Sequence, residues 1–151
     1  MFDFNTCYTA NRTTMALEQR VCDGGASEAS TNHIKAGKAS AKLGGGKSGP
    51  YLKIMVTEAF AGTGTTLAIY METDTDSGFA SALKQVIHLG TIAKASLVAG
   101  TVFSIKLPFA IWQRYRRLYF TGDNTFEATG KIVAWEDEAP DPAQSQIDMI
   151  A

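Results

Sequence analysis

The chain has 151 residues, 45% of them hydrophobic, with 14 basic and 15 acidic side chains and a formal net charge of −1. That length suits one domain with a single sizeable core, and that apolar fraction excludes general disorder. The near-balanced charge argues against bulk electrostatic binding to nucleic acid or to an anionic membrane.

No apolar run approaches the roughly 18 residues a membrane helix needs, and the opening MFDFNTCYT has neither the basic region nor the apolar stretch of a secretory signal. Cys7 and Cys22 are too few for a disulfide scaffold and read as thiols made in a reducing compartment. Residues 1–26 show no clear period and read as an N-terminal arm. Within it, Thr14 to Val21 fits two helical turns or an irregular arm, and Asn11-Arg-Thr13 matches a glycosylation sequon by chance.

From Ser30 the texture becomes that of short strands. Ser30 to Ala36 is extended up to Gly37, and Lys38 to Pro50, small, polar and rich in glycine, reads as a loop. Tyr51 to Ala59 places Leu52, Ile54 and Val56 on one face, and Thr66 to Thr73 does the same for Leu67, Ile69 and Met71. Asp74 to Gly78 is a loop, Phe79 to Ala82 a partial helical turn, and Leu83 to Leu89 extended. Ser96 to Gly100 is a turn, and Phe103, Ile105 and Leu107 alternate up to Pro108, which cannot donate to a ladder.

The stretch from Arg114 to Trp135 reads as a β-hairpin. Leu118 and Phe120 fall on one face, and Tyr115, Arg117 and Tyr119 on the other. Gly122-Asp123-Asn124 supplies turn chemistry, and Val133 shares a face with Trp135. Residues 139–151 form an acidic tail with a small apolar end at Ile147, Met149 and Ile150. About eight short strands with regular turn signals and no long helical pattern predict an all-β, antiparallel sandwich of jelly-roll type over residues 27–138, flanked by irregular arms.

The chemical motifs are weak. Gly46-Lys47-Ser48 resembles the end of a phosphate-binding loop, but Ala41 stands where its first glycine belongs and a strand, not a helix, is expected to follow. Asp74-x-Asp76 resembles the start of a calcium loop, yet Phe79 stands in the glycine slot, and a capped turn is the better reading. His33 and His88 have no second ligand at metal spacing. Glu58 and Glu72 form a carboxylate pair only if their strands adjoin. No catalytic residue, metal or cofactor is assigned. RYRRLYF has the composition of a single-strand stacking platform, but tyrosine and arginine are also favoured at protein interfaces, and the charge balance favours protein contact.

Five stretches, Ala29 to Ile34, Val56 to Phe79, Ile92 to Pro108, Arg114 to Thr121 and Ala128 to Trp135, together resemble the jelly-roll capsid cement (decoration) proteins of tailed bacteriophages, of the type described for a Bordetella phage. The resemblance implies a non-enzymatic protein that forms homotrimers and clamps the outer surface of a capsid lattice, with the major capsid protein as partner and the virion as location after synthesis in the host cytoplasm. No nucleic acid, membrane or small-molecule substrate is expected as a partner. The candidate partner-binding residues are Tyr115, Arg117, Tyr119, Ile147, Met149 and Ile150. The alternative is a carbohydrate- or receptor-binding jelly-roll module of the virion, with Trp112 as its best candidate contact.

Overall fold

Alternating apolar residues set where the strands fold, because a pleated strand buries every second side chain against a facing sheet. The structure, a computed structural model, describes residues 7–9, 18–22, 27–43, 50–108, 110–124, 126 and 129–137. Among them run nine strands: β1 (Gln19–Arg20), β2 (Ser27–Ala29), β3 (Ile34–Leu43), β4 (Tyr51–Glu58), β5 (Thr66–Asp74), β6 (Gln85–Ala93), β7 (Val102–Lys106), β8 (Ala110–Gly122) and β9 (Lys131–Asp137). One sheet has the order β1-β9-β4-β7. The other has β2-β8-β5-β6, with β3 also paired to β8.

Both β2 and β3 lie along β8, Ser27 opposite Thr121 and Leu43 opposite Ala110, so they act as one interrupted edge strand. Counted that way, the first strand pairs with the last, the second with the seventh, the third with the sixth and the fourth with the fifth, all antiparallel. That nested pairing is a jelly roll. The β4–β9 and β5–β8 ladders then join the pairs into two sheets.

The residues expected to face inward do so. Leu52, Ile54, Val56, Leu67, Ile69, Met71, Phe103, Ile105, Leu107, Leu118 and Phe120 are buried in one cluster, joined by Ile132 and Ala134 from β9. Each of these side chains except that of Ala134 stabilises the fold by about 1.5–3 kcal/mol relative to exposure.

Several expectations need correction. Arg114 to Trp135 is not a hairpin: β8 pairs with β2, β3 and β5, whereas β9 belongs to the opposite sheet with β1 and β4. The segment between them is a corner that crosses the sandwich. Gly37 does not end the third strand, which runs on to Leu43 because the thirteen-residue β8 offers a ladder that far. Positions 44–49, including Lys47, lie outside the described residues. No helix forms over 79–82, where Phe79 has a φ of 57°, outside the helical region.

Within the stretch 1–26, two pieces are built into the sandwich. Cys7 bridges to Trp135 on the β9 edge, and Tyr8 donates its amide to Ala134 O at 2.7 Å, continuing the edge that β1 starts. Gln19 and Arg20 are strand rather than helix, and residues 14–17 lie outside the described residues.

Candidate functional site

The outward positions of β5 and β8 follow from the inward ones. With Leu67, Ile69 and Met71 buried, Tyr70 and Glu72 must point out. With Leu118 and Phe120 buried, Tyr115, Arg117, Tyr119 and Thr121 do the same. The register sets Tyr70 opposite Tyr119 and Glu72 opposite Arg117, with His88 and Val86 of β6 on the far side of Tyr70 and Glu72. This outer face therefore carries a row His88–Tyr70–Tyr119 and, beside it, a row Val86–Glu72–Arg117.

The charged row is internally matched. Arg117 donates Nε to Glu72 Oε2 at 2.6 Å, and Lys84 donates to Glu72 Oε1 at 3.2 Å. The Arg117 guanidinium also sits 4.3 Å from the centroid of the Phe79 ring, a cation–π contact that fixes its plane. Glu72 is nearly buried at 5% side-chain exposure, while Arg117 keeps 24% and Lys84 34%. Two cations share one carboxylate, which leaves an excess positive charge.

The two tyrosines start from directly opposed backbone positions but lean apart. The Tyr70 ring lies 4.9 Å from His88 toward β6, and the Tyr119 hydroxyl donates to Ser27 Oγ at 3.0 Å toward β2. Between them opens a hollow of about 480 Å³, lined by Tyr70, Glu72, Lys84, Val86, Arg117, Tyr119 and Thr121. Most of its lining stands on the interior strands β5 and β8, with Val86 of the edge strand β6 and Lys84 just before it closing one side.

The expected contact row thus divides. Tyr115 packs edge-on against His33 at 5.5 Å, and His33 in turn meets Phe79. Arg117 is held by Glu72 and Phe79, and Tyr119 lines the hollow. Ile147, Met149 and Ile150 lie outside the described residues, as does the side chain of Trp112. The arginines of RYRRLYF do not form a basic track. Arg114 is exposed, Arg116 turns into the sandwich, and Arg117 is paired on the outside.

Arg116 belongs to a buried polar group that residue spacing did not single out. Its Nη1 lies 2.9 Å from Glu136 Oε1 but off the N–H axis, and the Tyr8 hydroxyl donates to that same oxygen at 2.5 Å. Burial, and then the Glu136 charge, push the Tyr8 phenol well above its usual value, with Arg116 partly offsetting them. The signal for Arg116 was its parity with Leu118 and Phe120.

The acidic motifs prove to be loop caps. The Asp74 carboxylate accepts from the amides of Asp76 and Ser81 and from the Ser81 hydroxyl. Burial raises its pKa, but the Ser81 hydroxyl and the loop amides outweigh it and hold the carboxyl below its usual range. Asp123 accepts from the Thr65 hydroxyl and the Thr65 and Thr66 amides, which hold it down at about 2. Glu58 and Glu72 are not a pair: their strands lie in different sheets, and Glu58 binds Lys131 at 3.1 Å. The Cys7 and Cys22 side chains are buried thiols, and burial pushes Cys22 up to about 11.

The outer face of the other sheet is different. Tyr51, Lys53, Ser104 and Val133 are buried there, and Met55 and the half-buried Trp135 pack around Cys7 and Val133. Among curated proteins, none matches the chain. The family model of Bbp16, a Bordetella-phage protein, matches residues 19–135, which take in the nine strands of the sandwich up to Trp135. The chain belongs to the Bbp16 family of bacteriophage proteins.

Proposed function

We propose that the chain is a capsid decoration protein that binds the major capsid protein on the outer surface of the virion as a homotrimer. The observation that carries this reading is the family match from β1 to Trp135 of β9, joined to a fold whose two outer faces differ in chemistry. Tyr115 is committed to His33 within the chain, and Arg117 and Tyr119 of that row line the hollow, so the row is assigned no lattice contact. The lattice contact is assigned to the half-buried Met55–Trp135 patch on the opposite sheet, because tryptophan and methionine are enriched where protein surfaces meet. Ile147, Met149 and Ile150 are assigned a second contact on sequence alone. Binding strength then comes from modest contacts multiplied over a symmetric oligomer and a repeating lattice.

The test is co-sedimentation of the purified chain with capsids that lack it. Saturable binding is expected, weakened at least about ten-fold by Trp135→Ala, the loss of one well-packed interface anchor. Native mass spectrometry of the free chain should show the trimer. A chain that stays in the supernatant at micromolar concentration contradicts the proposal.

A further inference from the structure

The hollow between Tyr70 and Tyr119 has no task in holding the sandwich together, and its chemistry narrows what it accepts. We infer that it is a binding site for a saccharide that carries a carboxylate. Its volume of about 480 Å³ falls in the range of roughly 300–1,000 Å³ that small-ligand sites occupy. The two tyrosines are fixed from behind, by His88 and by Ser27, so the gap between them exists before any ligand arrives. An aromatic face is apolar and carries negative partial charge, which suits the weakly positive C–H face of a sugar ring.

The charged end supplies the second half of the recognition. Glu72 has both oxygens engaged, by Lys84 and by Arg117. Arg117 spends its Nε on that contact, and a guanidinium carries four further N–H donors, while the Lys84 ammonium has two to spare beyond Glu72. The Arg117 plane is already set by Phe79 at 4.3 Å, so a carboxylate meets a pre-oriented fork. Thr121 offers a hydroxyl at the other end of the hollow.

Other ligand classes fit less well. An extended peptide gains affinity by adding to an exposed strand edge, whereas Tyr70, Glu72, Arg117, Tyr119 and Thr121 stand on β5 and β8, whose backbone groups are paired on both sides, and only Val86 stands on the edge strand β6. A nucleic acid strand needs a track of cations, and here a single positive charge is in excess. A hydrophobic protein anchor needs an apolar pocket, and Glu72, Lys84 and Arg117 line this one. The proposal goes beyond capsid decoration and uses the face opposite the Met55–Trp135 patch.

The test titrates galacturonic acid, N-acetylneuraminic acid, galactose and acetate separately into the full chain, followed by calorimetry. At least one carboxylated sugar is expected to bind at least about ten-fold tighter than galactose and acetate. Tyr70→Ala and Tyr119→Ala should each abolish that binding without lowering the melting temperature by more than a few degrees. Lys84→Met should remove the preference for the carboxylated sugar. No binding of either carboxylated sugar overturns the inference. So does equal binding of acetate, which marks an anion site only, or binding that survives both tyrosine changes. Capsid co-sedimentation of Tyr119→Ala separates the two readings, since decoration should be unaffected.

Discussion

Arg116 and Glu136 meet 2.9 Å apart across the sandwich, one on β8 and the other on β9, and so tie the two sheets together at one end. Arg116 has 6% of its side chain exposed and Glu136 has 16%, so neither charge is screened well by water. The Tyr8 hydroxyl completes the group and brings the chain's first described segment into it.

Removing one partner of this pair strands the other. Arg116→Met or Glu136→Gln should each destabilise the fold by about 3–5 kcal/mol, while the double variant should lose much less than the sum. Chemical denaturation of the three variants completes the cycle. Additive losses would show that the pair is not coupled.

Two glycines should respond differently to the same change. Gly100 and Gly130 both have positive φ, 88° and 92°, so an alanine is strained at either. A Cβ at Gly100 meets nothing within 4 Å, whereas at Gly130 it would lie 2.6 Å from the Phe60 ring. Gly100→Ala should cost about 1–2 kcal/mol, and Gly130→Ala a further 1–3 kcal/mol or so from overpacking. Equal midpoints in urea would contradict the packing at Phe60.

Acid should loosen the loop caps. Asp123, held at about 2 by Thr65 and Thr66, and Asp74, held low by Ser81 and the loop amides against its burial, have folded pKa values below the unfolded value. Such groups stabilise the fold above the unfolded pKa of about 3.9. That contribution is lost as the pH falls from there through the folded values. Melting temperature measured from neutral pH down to that range should fall, and Asp123→Ala should flatten the fall. An unchanged slope in the variant would remove Asp123 from the account.

The thiols should be inert in the folded chain. Cys22, pushed up to about 11 by burial, holds almost no thiolate at neutral pH, and Cys7 is fully buried. Iodoacetamide should label neither in the native protein and both after denaturation, as read by mass spectrometry. Rapid native labelling would contradict the packing of that edge.

The faces of the strands were legible, and their partners were not. A period of two told which residues of β4, β5, β7 and β8 face inward, because burial on one side leaves an alternating trace. Pairing leaves no such trace in a jelly roll, where β1 meets β9 across most of the chain and β4 meets β7 across about a third of it. Gly122-Asp123-Asn124 looked like a hairpin turn, but Asp123 caps Thr65 and Thr66 of the β4–β5 connection instead.

The hollow was half legible for the same reason. Tyr119 and Arg117 were placed on an outward face, and the burial of Leu67, Ile69 and Met71 implied that Tyr70 and Glu72 also point out. Only the β5–β8 register brings the four together. The last six residues of β3 were missed because small and polar residues give no alternation to read, while a backbone ladder requires none.

Cryo-electron microscopy of the native particle decides whether the chain decorates the capsid. The two-sheet sandwich of β1–β9 should appear on the outer capsid surface in groups of three, with Met55 and Trp135 turned toward the lattice and Tyr70 and Tyr119 toward solvent. Density for the chain inside the capsid, in the tail, or absent from the particle would contradict it.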